Sequence, residues 1–117
     1  MMNTLNVIGR IVRDPEYKEL EDGKKVSNIT IAVQRAYKNA DGEYETDFMD
    51  ITLWNGIASN VSEYCKKGDL IGVRGRLATR KDKDNNMLEI VAEKVTFLAA
   101  SKNLNETIET DKDTIGI

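Results

Sequence analysis

The sequence predicts an all-β barrel of five strands, with one helix inserted between the third and fourth strands. Several stretches alternate apolar and polar residues, which is the period of a half-buried strand. Asp-Gly pairs at 22–23 and 41–42 mark tight turns between such stretches. The segment 57–67 instead has the period of a helix. With 117 residues, 40% apolar and 32% charged, the chain has the length and composition of one soluble globular domain.

The two Asp-Gly turns separate the first three strands. Residues 5–13 are β-rich and interrupted by Gly9, which predicts a strand with a bend or bulge. Residues 26–35 form the second strand and residues 46–55, "TDFMDITLWN", the third. The predicted core positions of these two later strands share one parity: Ile29, Ile31, Val33, Met49, Ile51 and Leu53.

The predicted helix covers residues 57–67, "IASNVSEYCKK". Ile57, Val61, Tyr64 and Cys65 fall on one face at helical spacing, so we expect this face to be buried. Lys66 and Lys67 suit the C-terminal end of a helix, and Gly68 suits the left-handed residue that follows it.

Residues 70–81 return to a period of two and predict the fourth strand. Residues 82–86 form a polar turn, and residues 87–99 predict the fifth strand. Within the fourth strand we expect Ile71, Val73 and Leu77 on the core face and Arg74, Arg76 and Arg80 on the opposite face.

The resulting order, β-β-β-α-β-β, matches the OB-fold, a five-stranded Greek-key barrel. A β-sandwich and an SH3-like barrel are alternatives, but neither normally places a helix at this point. We expect residues 1–100 to form the barrel. Residues 101–117 are polar and acidic, and we expect them to form a short flexible tail.

Composition argues against catalysis and against metal or cofactor binding. The chain has no histidine and one cysteine, so the commonest general base and the usual zinc sites are excluded. No phosphate-binding loop of the Walker type occurs. Asp47 and Asp50 have opposite strand parity, which disfavours a nuclease built on paired carboxylates. The lone Cys65, the lack of a secretory pattern and the lack of a long apolar run predict a cytoplasmic protein.

The third strand carries two large aromatic residues on its non-core parity. Phe48 and Trp54, the only tryptophan, lie roughly 20 Å apart along an extended strand at about 3.3 Å per residue. Tyr37 ends the preceding strand. Rings that stack bases, combined with cations that follow phosphates, are what sequence-independent binding of single strands needs. The cations on neighbouring strands and loops are Arg10, Arg35, Lys38, Arg74, Arg76, Arg80, Lys81 and Lys83.

Four segments together resemble the bacterial and phage single-stranded DNA-binding protein (SSB) family: "LNVIGRIVRDPE", "GKKVSNITIAV", "TDFMDITLWN" and "YCKKGDLIGVRGRLATR". The resemblance implies an OB-fold that binds single-stranded DNA without sequence preference during replication, recombination and repair. It also implies a homotetramer, for which Leu5, Val7 and the edge of the first strand are candidate contacts. The residues that match the family's stacking aromatics are Tyr37, Phe48 and Trp54. Those that match its basic contacts are Arg10, Arg35, Arg74, Arg76 and Arg80.

The sequence departs from the family pattern in two places. Many members carry another aromatic shortly after the "TR" that ends the fourth strand, where this chain has Lys81 and Asp82. The tail is also short, although an acidic and apolar tip that could recruit replication or repair proteins remains in Asp111, Asp113, Ile115 and Ile117. A phage, plasmid or paralogous version of the protein would account for both departures. The alternatives are an OB-fold adaptor for protein partners and an RNA-binding domain of the cold-shock type.

Overall fold

Six strands and one helix occur in the part of the chain that the computed structural model describes, residues 1–101. The prediction of five long strands and one helix is confirmed, and a two-residue strand is added to it. The elements are β1 Leu5–Ile11, β2 Lys18–Glu19, β3 Lys25–Lys38, β4 Tyr44–Trp54, α1 Asn55–Tyr64, β5 Leu70–Asp82 and β6 Asn85–Ala99. The predicted tail contacts Asp111, Asp113, Ile115 and Ile117 lie outside the described residues.

The five long strands close into a barrel. Hydrogen-bonded neighbours follow the order β1-β5-β6-β4-β3, and β3 returns to β1 through the pairs Arg10–Ala32 and Ile11–Ile31. All these pairings are antiparallel except β4–β6, which is parallel. A closed barrel with its helix between β4 and β5 is the predicted OB-fold.

Gly9 is needed where β1 meets two partners at once. A Cβ at this position would lie 2.5 Å from the carbonyl oxygen of Ala32 on β3. The β1–β5 register runs without a shift from Leu5 to Arg10. The irregularity expected at Gly9 is therefore a close approach of β3 to β1, and not a bulge in the β1–β5 ladder.

Alternating aliphatic residues from the strands fill the barrel, as the sequence predicts. Val33 and Met49 are partly buried and pack against this core. The alternation holds because each strand has one face inside the barrel. The buried aliphatic residues of the strands include Ile11, Ile29, Ile31, Ile51, Leu53, Ile71 and Val73.

The helix differs from its prediction at both ends. It begins at Asn55 and ends at Tyr64, so Lys66 and Lys67 lie beyond it. Tyr64 is 70% exposed, and the expectation that it is buried is wrong. The buried face consists of Ala58 and Val61, with Ile57 partly buried and Cys65 buried just after the last turn.

Leu77 is 42% exposed, so its prediction as a core residue is also wrong. It keeps the parity of Ile71 and Val73, but β5 and β6 continue as a hairpin past the end of the core. Alternation continues along a strand whether or not another layer covers it, so parity alone overestimates the core here. The hairpin closes through Lys83 and Asp84, with Lys83 at φ 58°.

A buried carboxylate fastens the end of β6 to the loop after the helix. Asp69 is 5% exposed, and its side chain accepts hydrogen bonds from the backbone N–H groups of Lys66 (2.8 Å) and Ser101 (3.1 Å). Gly68 adopts φ +88° in this loop and donates its N–H to the carbonyl of Ile11. Gly68 therefore serves this loop, and does not end the helix as the sequence suggested.

Candidate nucleic-acid interface

The outward face of β4 presents two aromatic rings. Phe48 is 66% exposed and Trp54 is 36% exposed, while Ile51 and Leu53 on the opposite face are buried. Ala32 lies opposite Phe48 on β3, and its methyl group offers the ring little cover. The structure thus brings both predicted rings to one surface.

A polar row separates the two rings. The Thr30 hydroxyl donates to an Asp50 carboxylate oxygen at 2.6 Å, and Arg13 Nη2 donates to the same hydroxyl oxygen at 3.3 Å. Asp50 lies between Phe48 and Trp54 in outward parity. A ligand strand that runs from one ring to the other would therefore meet hydrogen-bonding groups, and not bare backbone.

The β5–β6 hairpin is attached to this surface through Thr52. The Thr52 hydroxyl lies 3.2 Å from the Asn28 side-chain oxygen and 3.3 Å from Glu89 Oε2. Both oxygens can accept the hydroxyl proton, so Thr52 can donate to either of them. Glu89 also lies 3.9 Å from a guanidinium nitrogen of Arg80. These contacts hold one side of the hairpin against the outward face of β4.

A groove of about 330 Å³ runs between the hairpin and the β3–β4 surface. We call it the hairpin groove. It is lined from one side by Arg13 and Asp50 and from the other by Arg80 and Met87, among others. Cations stand on both sides of the groove, an arrangement suited to a strand that carries phosphates along its length.

The tip of the β3–β4 hairpin carries two more aromatic residues. Tyr37 is 70% exposed and Tyr44 is 48% exposed. The Lys38 ammonium lies 5.7 Å from the centre of the Tyr44 ring, within cation–π range. Tyr44 shares the outward parity of Phe48 and Trp54, so extending the period of two by two positions would have identified it from the sequence.

Two of the arginines predicted to contact phosphates form hydrogen bonds to other groups of the protein. Arg10 is partly buried, and its Nη1 donates to the carbonyl of Gly68 at 2.9 Å. Arg35 makes a two-point contact with Asp47, at 3.0 and 3.1 Å, and a further ion pair with Glu45. Their role in DNA binding stays a prediction, but each already has a partner in the described structure.

The Arg35 network lies on the face of β4 opposite Phe48. The β3–β4 register is regular as far as the pair Gln34–Thr46, so Arg35 lies on the same face as Asp47 and diagonal to it. Beyond that pair, three residues of β3 lie against one of β4 before the pair Lys38–Tyr44. The hydrogen bond and charge of Asp47 raise the pKa of Arg35, and the hydrogen bond from Arg35 lowers the pKa of Asp47. Asp47 and Asp50 thus point to opposite faces, as their parity predicts.

Apart from Lys38, the remaining predicted cations lie along the β5–β6 hairpin and are exposed. Arg80 lines the hairpin groove, and Arg76 pairs with Val91 next to Thr52. Lys81 lies opposite Asn86 near the end of the hairpin. Arg74 lies farther away, in a cavity of about 310 Å³ beside Ile8 and Lys94.

Sequence reasoning missed Arg13 and Tyr17, which precede β2. The first predicted strand ends at Arg13, and Tyr17 lies in the segment that follows it, around Asp14 and Pro15, to which no strand or site is assigned. Arg13 lies in the hairpin groove, and Tyr17 lies under the Lys25 ammonium at 5.5 Å. No local period places a loop residue relative to a sheet, so only the basic and aromatic types themselves could have signalled them.

Among residues 1–101, no group of three or more potential ligands is arranged to hold a metal ion. Within that same range, no helix has both the length and the apolar character needed to cross a membrane.

Comparison with known proteins now decides the family. Residues 2–98 match the Single-strand binding protein family. The chain belongs to this family.

Relatives and solved structures agree with that assignment. The chain is 44% identical to "Single-stranded DNA-binding protein 1" of Clostridium acetobutylicum, over 86% of this chain and 97% of that protein. It is 38% identical to "Single-stranded DNA-binding protein B" of Bacillus subtilis, over 84% and 91%. Among solved structures it resembles "Plasmodium falciparum SSB complex with ssDNA", with a TM-score of 0.71 and 26% identity over 84% of this chain and 96% of the other.

Proposed function

We propose that this SSB-family protein binds single-stranded DNA without sequence preference and protects exposed strands during replication, recombination and repair. The observation that carries the proposal is the pair of exposed rings, Phe48 and Trp54, on one face of the barrel beside a groove with cations on both sides. The names of the relatives and the DNA complex of the structural neighbour support it.

Stacking is the sequence-independent part of the proposed mechanism. Every base has a π-face, and an aromatic side chain that stacks one contributes roughly 1–3 kcal/mol by alanine substitution. Phe48 and Trp54 would hold separate bases of one extended strand. Tyr37, at the exposed tip of the β3–β4 hairpin, would hold a third.

Charge is the second part of the mechanism. Arg80 inside the hairpin groove, and Arg76 and Lys81 along the same hairpin, would follow the phosphates, with Lys38 doing so at the tip of β3–β4. Arg10 and Arg35 would have to leave or share their present partners, and Arg74 would contact only a strand that wraps toward β1. We therefore rank Arg80 first among these contacts.

Trp54 provides a direct test. Adding unlabelled oligo-dT at low salt should quench its fluorescence strongly, because a stacked base contacts the indole. The apparent affinity should fall with salt at a log–log slope of about −0.7 for each phosphate neutralised. An unchanged emission spectrum at saturating oligo-dT, with binding established by anisotropy of a labelled strand, would remove Trp54 from the site.

We also propose that the protein assembles with copies of itself, as a tetramer. The support is an apolar outward surface on β1, β5 and β6. Ile8 is 60% exposed and Leu98 is 46% exposed, and their side chains come together over Gly72. Val7, which the sequence suggested as a contact, packs against the core, so Ile8 is the better candidate on β1.

Light scattering tests the assembly. A tetramer should have about four times the 13.2 kDa mass of one chain, and Ile8→Glu should shift the mass toward that of smaller species. A single-chain mass for the unaltered protein at high concentration would contradict the proposal.

The proposal includes no catalytic step. We place the activity in the bacterial cytoplasm, where replication exposes single strands, since the single-stranded DNA-binding proteins to which the chain is similar include those of several bacteria. Recruitment of replication or repair proteins by the tail stays a prediction, because its residues lie outside the described range.

A further inference from the structure

A second cavity, of about 540 Å³, lies at one end of the hairpin groove. It is formed by the segment before β2 and the beginning of β3, and its walls include Tyr17, Lys18 and Val26. Neither the family assignment nor the sequence pattern gives this cavity a role. Its volume falls in the range of small-molecule sites, large enough for a nucleobase with its sugar.

The cavity adjoins the hairpin groove. Arg13 and Asn28 line both of them. Pairing across the sheet brings the cavity close to a predicted ring: Lys18 lies opposite Val26, and Val26 lies opposite Trp54. A strand that leaves the groove at the Trp54 end therefore meets this cavity next.

Tyr17 is suited to receive a base there. Its side chain is 44% exposed, and the Lys25 ammonium lies 5.5 Å from the ring centre. The ammonium occupies one side of the ring, so a base would stack on the other. Base stacking beside a cation is the combination that single-strand binding proteins use.

The charges around the cavity favour a phosphate backbone. Arg13 and Lys18 line the cavity together with Tyr17, and the Lys25 ammonium lies over the Tyr17 ring. Of the two carboxylates in the wall, Asp14 accepts a hydrogen bond from the backbone N–H of Lys67 at 2.8 Å, which engages one of its oxygens. Glu16 is exposed and can turn toward water.

We propose that Tyr17 is a fourth base-stacking residue, which extends the DNA path beyond Trp54 into the cavity before β2. This inference rests on the proposed function. The sequence lacks the aromatic residue that many family members carry near Asp82. Tyr17 would supply a stacking surface in its place. The DNA path is then displaced toward β2, and not shortened.

Moving the single tryptophan tests the proposal directly. In a Trp54→Phe background, which keeps a stacking ring at position 54, Tyr17→Trp makes position 17 the only source of tryptophan emission. Oligo-dT long enough to cover the whole face should quench this emission. The matched control is Tyr64→Trp in the same background, since Tyr64 is 70% exposed but lies at the end of the helix. Its emission should not change.

Affinity provides the second measurement, with Trp54 intact and a labelled oligo-dT followed by anisotropy. Tyr17→Ala should weaken binding about fivefold or more, and Tyr17→Phe should retain the affinity of the unaltered protein. Tyr64→Ala should bind as the unaltered protein does.

The outcomes separate the two proposals. If labelled oligo-dT does not bind the unaltered protein, the proposed function fails and Tyr17 with it. If oligo-dT binds but the tryptophan at position 17 is not quenched and Tyr17→Ala binds normally, only the extension into the cavity is overturned.

Discussion

The two long hairpins of the barrel carry different chemistry. The β3–β4 hairpin presents aromatic rings at Tyr37, Tyr44, Phe48 and Trp54, all of them exposed. The β5–β6 hairpin presents cations, and residues 65–96 contain no aromatic residue. The two hairpins meet at the groove, where Thr52 of one contacts Glu89 of the other.

The proposed stacking residues and the proposed phosphate-binding cations therefore lie mainly on different hairpins. Stacking depends little on ionic strength, whereas phosphate neutralisation depends on it strongly. A substitution on β3–β4 should therefore lower affinity at every salt concentration. A substitution on β5–β6 should instead change how affinity varies with salt.

The largest effect is expected at Phe48. Phe48→Ala should weaken oligo-dT binding by roughly 1–3 kcal/mol, about fivefold to 150-fold, without changing the salt slope. Trp54 remains as the fluorescent reporter. Phe48→Tyr, which keeps a ring, is the matched control and should bind nearly normally. A changed slope in Phe48→Ala would show that the hairpins do not divide the two contributions.

Substituting Gly75 tests whether the irregularity between β5 and β6 requires a glycine at this position for a stable fold. Glu93 has no partner between the pairs Arg74–Lys94 and Gly75–Ala92, and a Cβ at Gly75 would lie 2.4 Å from the carbonyl oxygen of Val91. Gly75→Ala should therefore destabilise the fold by about 1–3 kcal/mol, measured by urea unfolding. Gly56→Ala is the control, because a Cβ there has no atom within 4 Å, and it should be nearly neutral. Equal unfolding midpoints for the two variants would contradict the close approach.

Arg80 and Arg35 should differ in their effect on the salt slope, because Arg80 lines the groove with one ion-pair contact at 3.9 Å, whereas Arg35 is held by closer contacts on the opposite face. Arg80→Gln should reduce the magnitude of the salt slope by about 0.7, the contribution of one phosphate contact on a single strand. Arg35→Gln should leave the slope unchanged, because Arg35 is paired with Asp47 and Glu45 on the opposite face. Trp54 quenching at several salt concentrations measures both. A loss of slope in Arg35→Gln alone would favour the sequence-based assignment over the geometry.

The smallest effect concerns pH. The hydrogen bond from Arg35 lowers the pKa of Asp47 in the folded state, so its stabilising contribution is present above the unfolded value of about 4. It is lost as pH falls through the folded value. Urea unfolding should therefore show Asp47→Asn slightly less stable than the unaltered protein at pH 7, with the difference shrinking below pH 4. Oligo-dT affinity at pH 7 should be the same for both, and a large difference in affinity would place Asp47 near the DNA.

The sequence predicts the barrel well because its signals are local. Ile29, Ile31, Ile51 and Leu53 alternate with polar residues within single strands, and all four are buried. The same alternation brought Phe48 and Trp54 to one surface. Each of these predictions needs only the parity of a side chain within its own strand.

The failures arise where partners come from distant parts of the chain. Arg35 contacts Asp47 on the neighbouring strand, and Arg10 reaches the carbonyl of Gly68, 58 residues away. Leu77 is exposed because the hairpin outruns the core. Register, loop position and strand length relative to the core are tertiary properties, and no single strand encodes them.

The buried Asp69 has a consequence for where the folded unit can be cut. Its Oδ1 receives the backbone N–H of Ser101, one residue beyond the boundary that the sequence suggests. A shortened protein that stops at Ala99 would leave that oxygen buried without its donor, at the usual cost of an unsatisfied buried acceptor. We therefore expect a fragment that includes Ser101 to be more stable than one that stops at the end of the last strand.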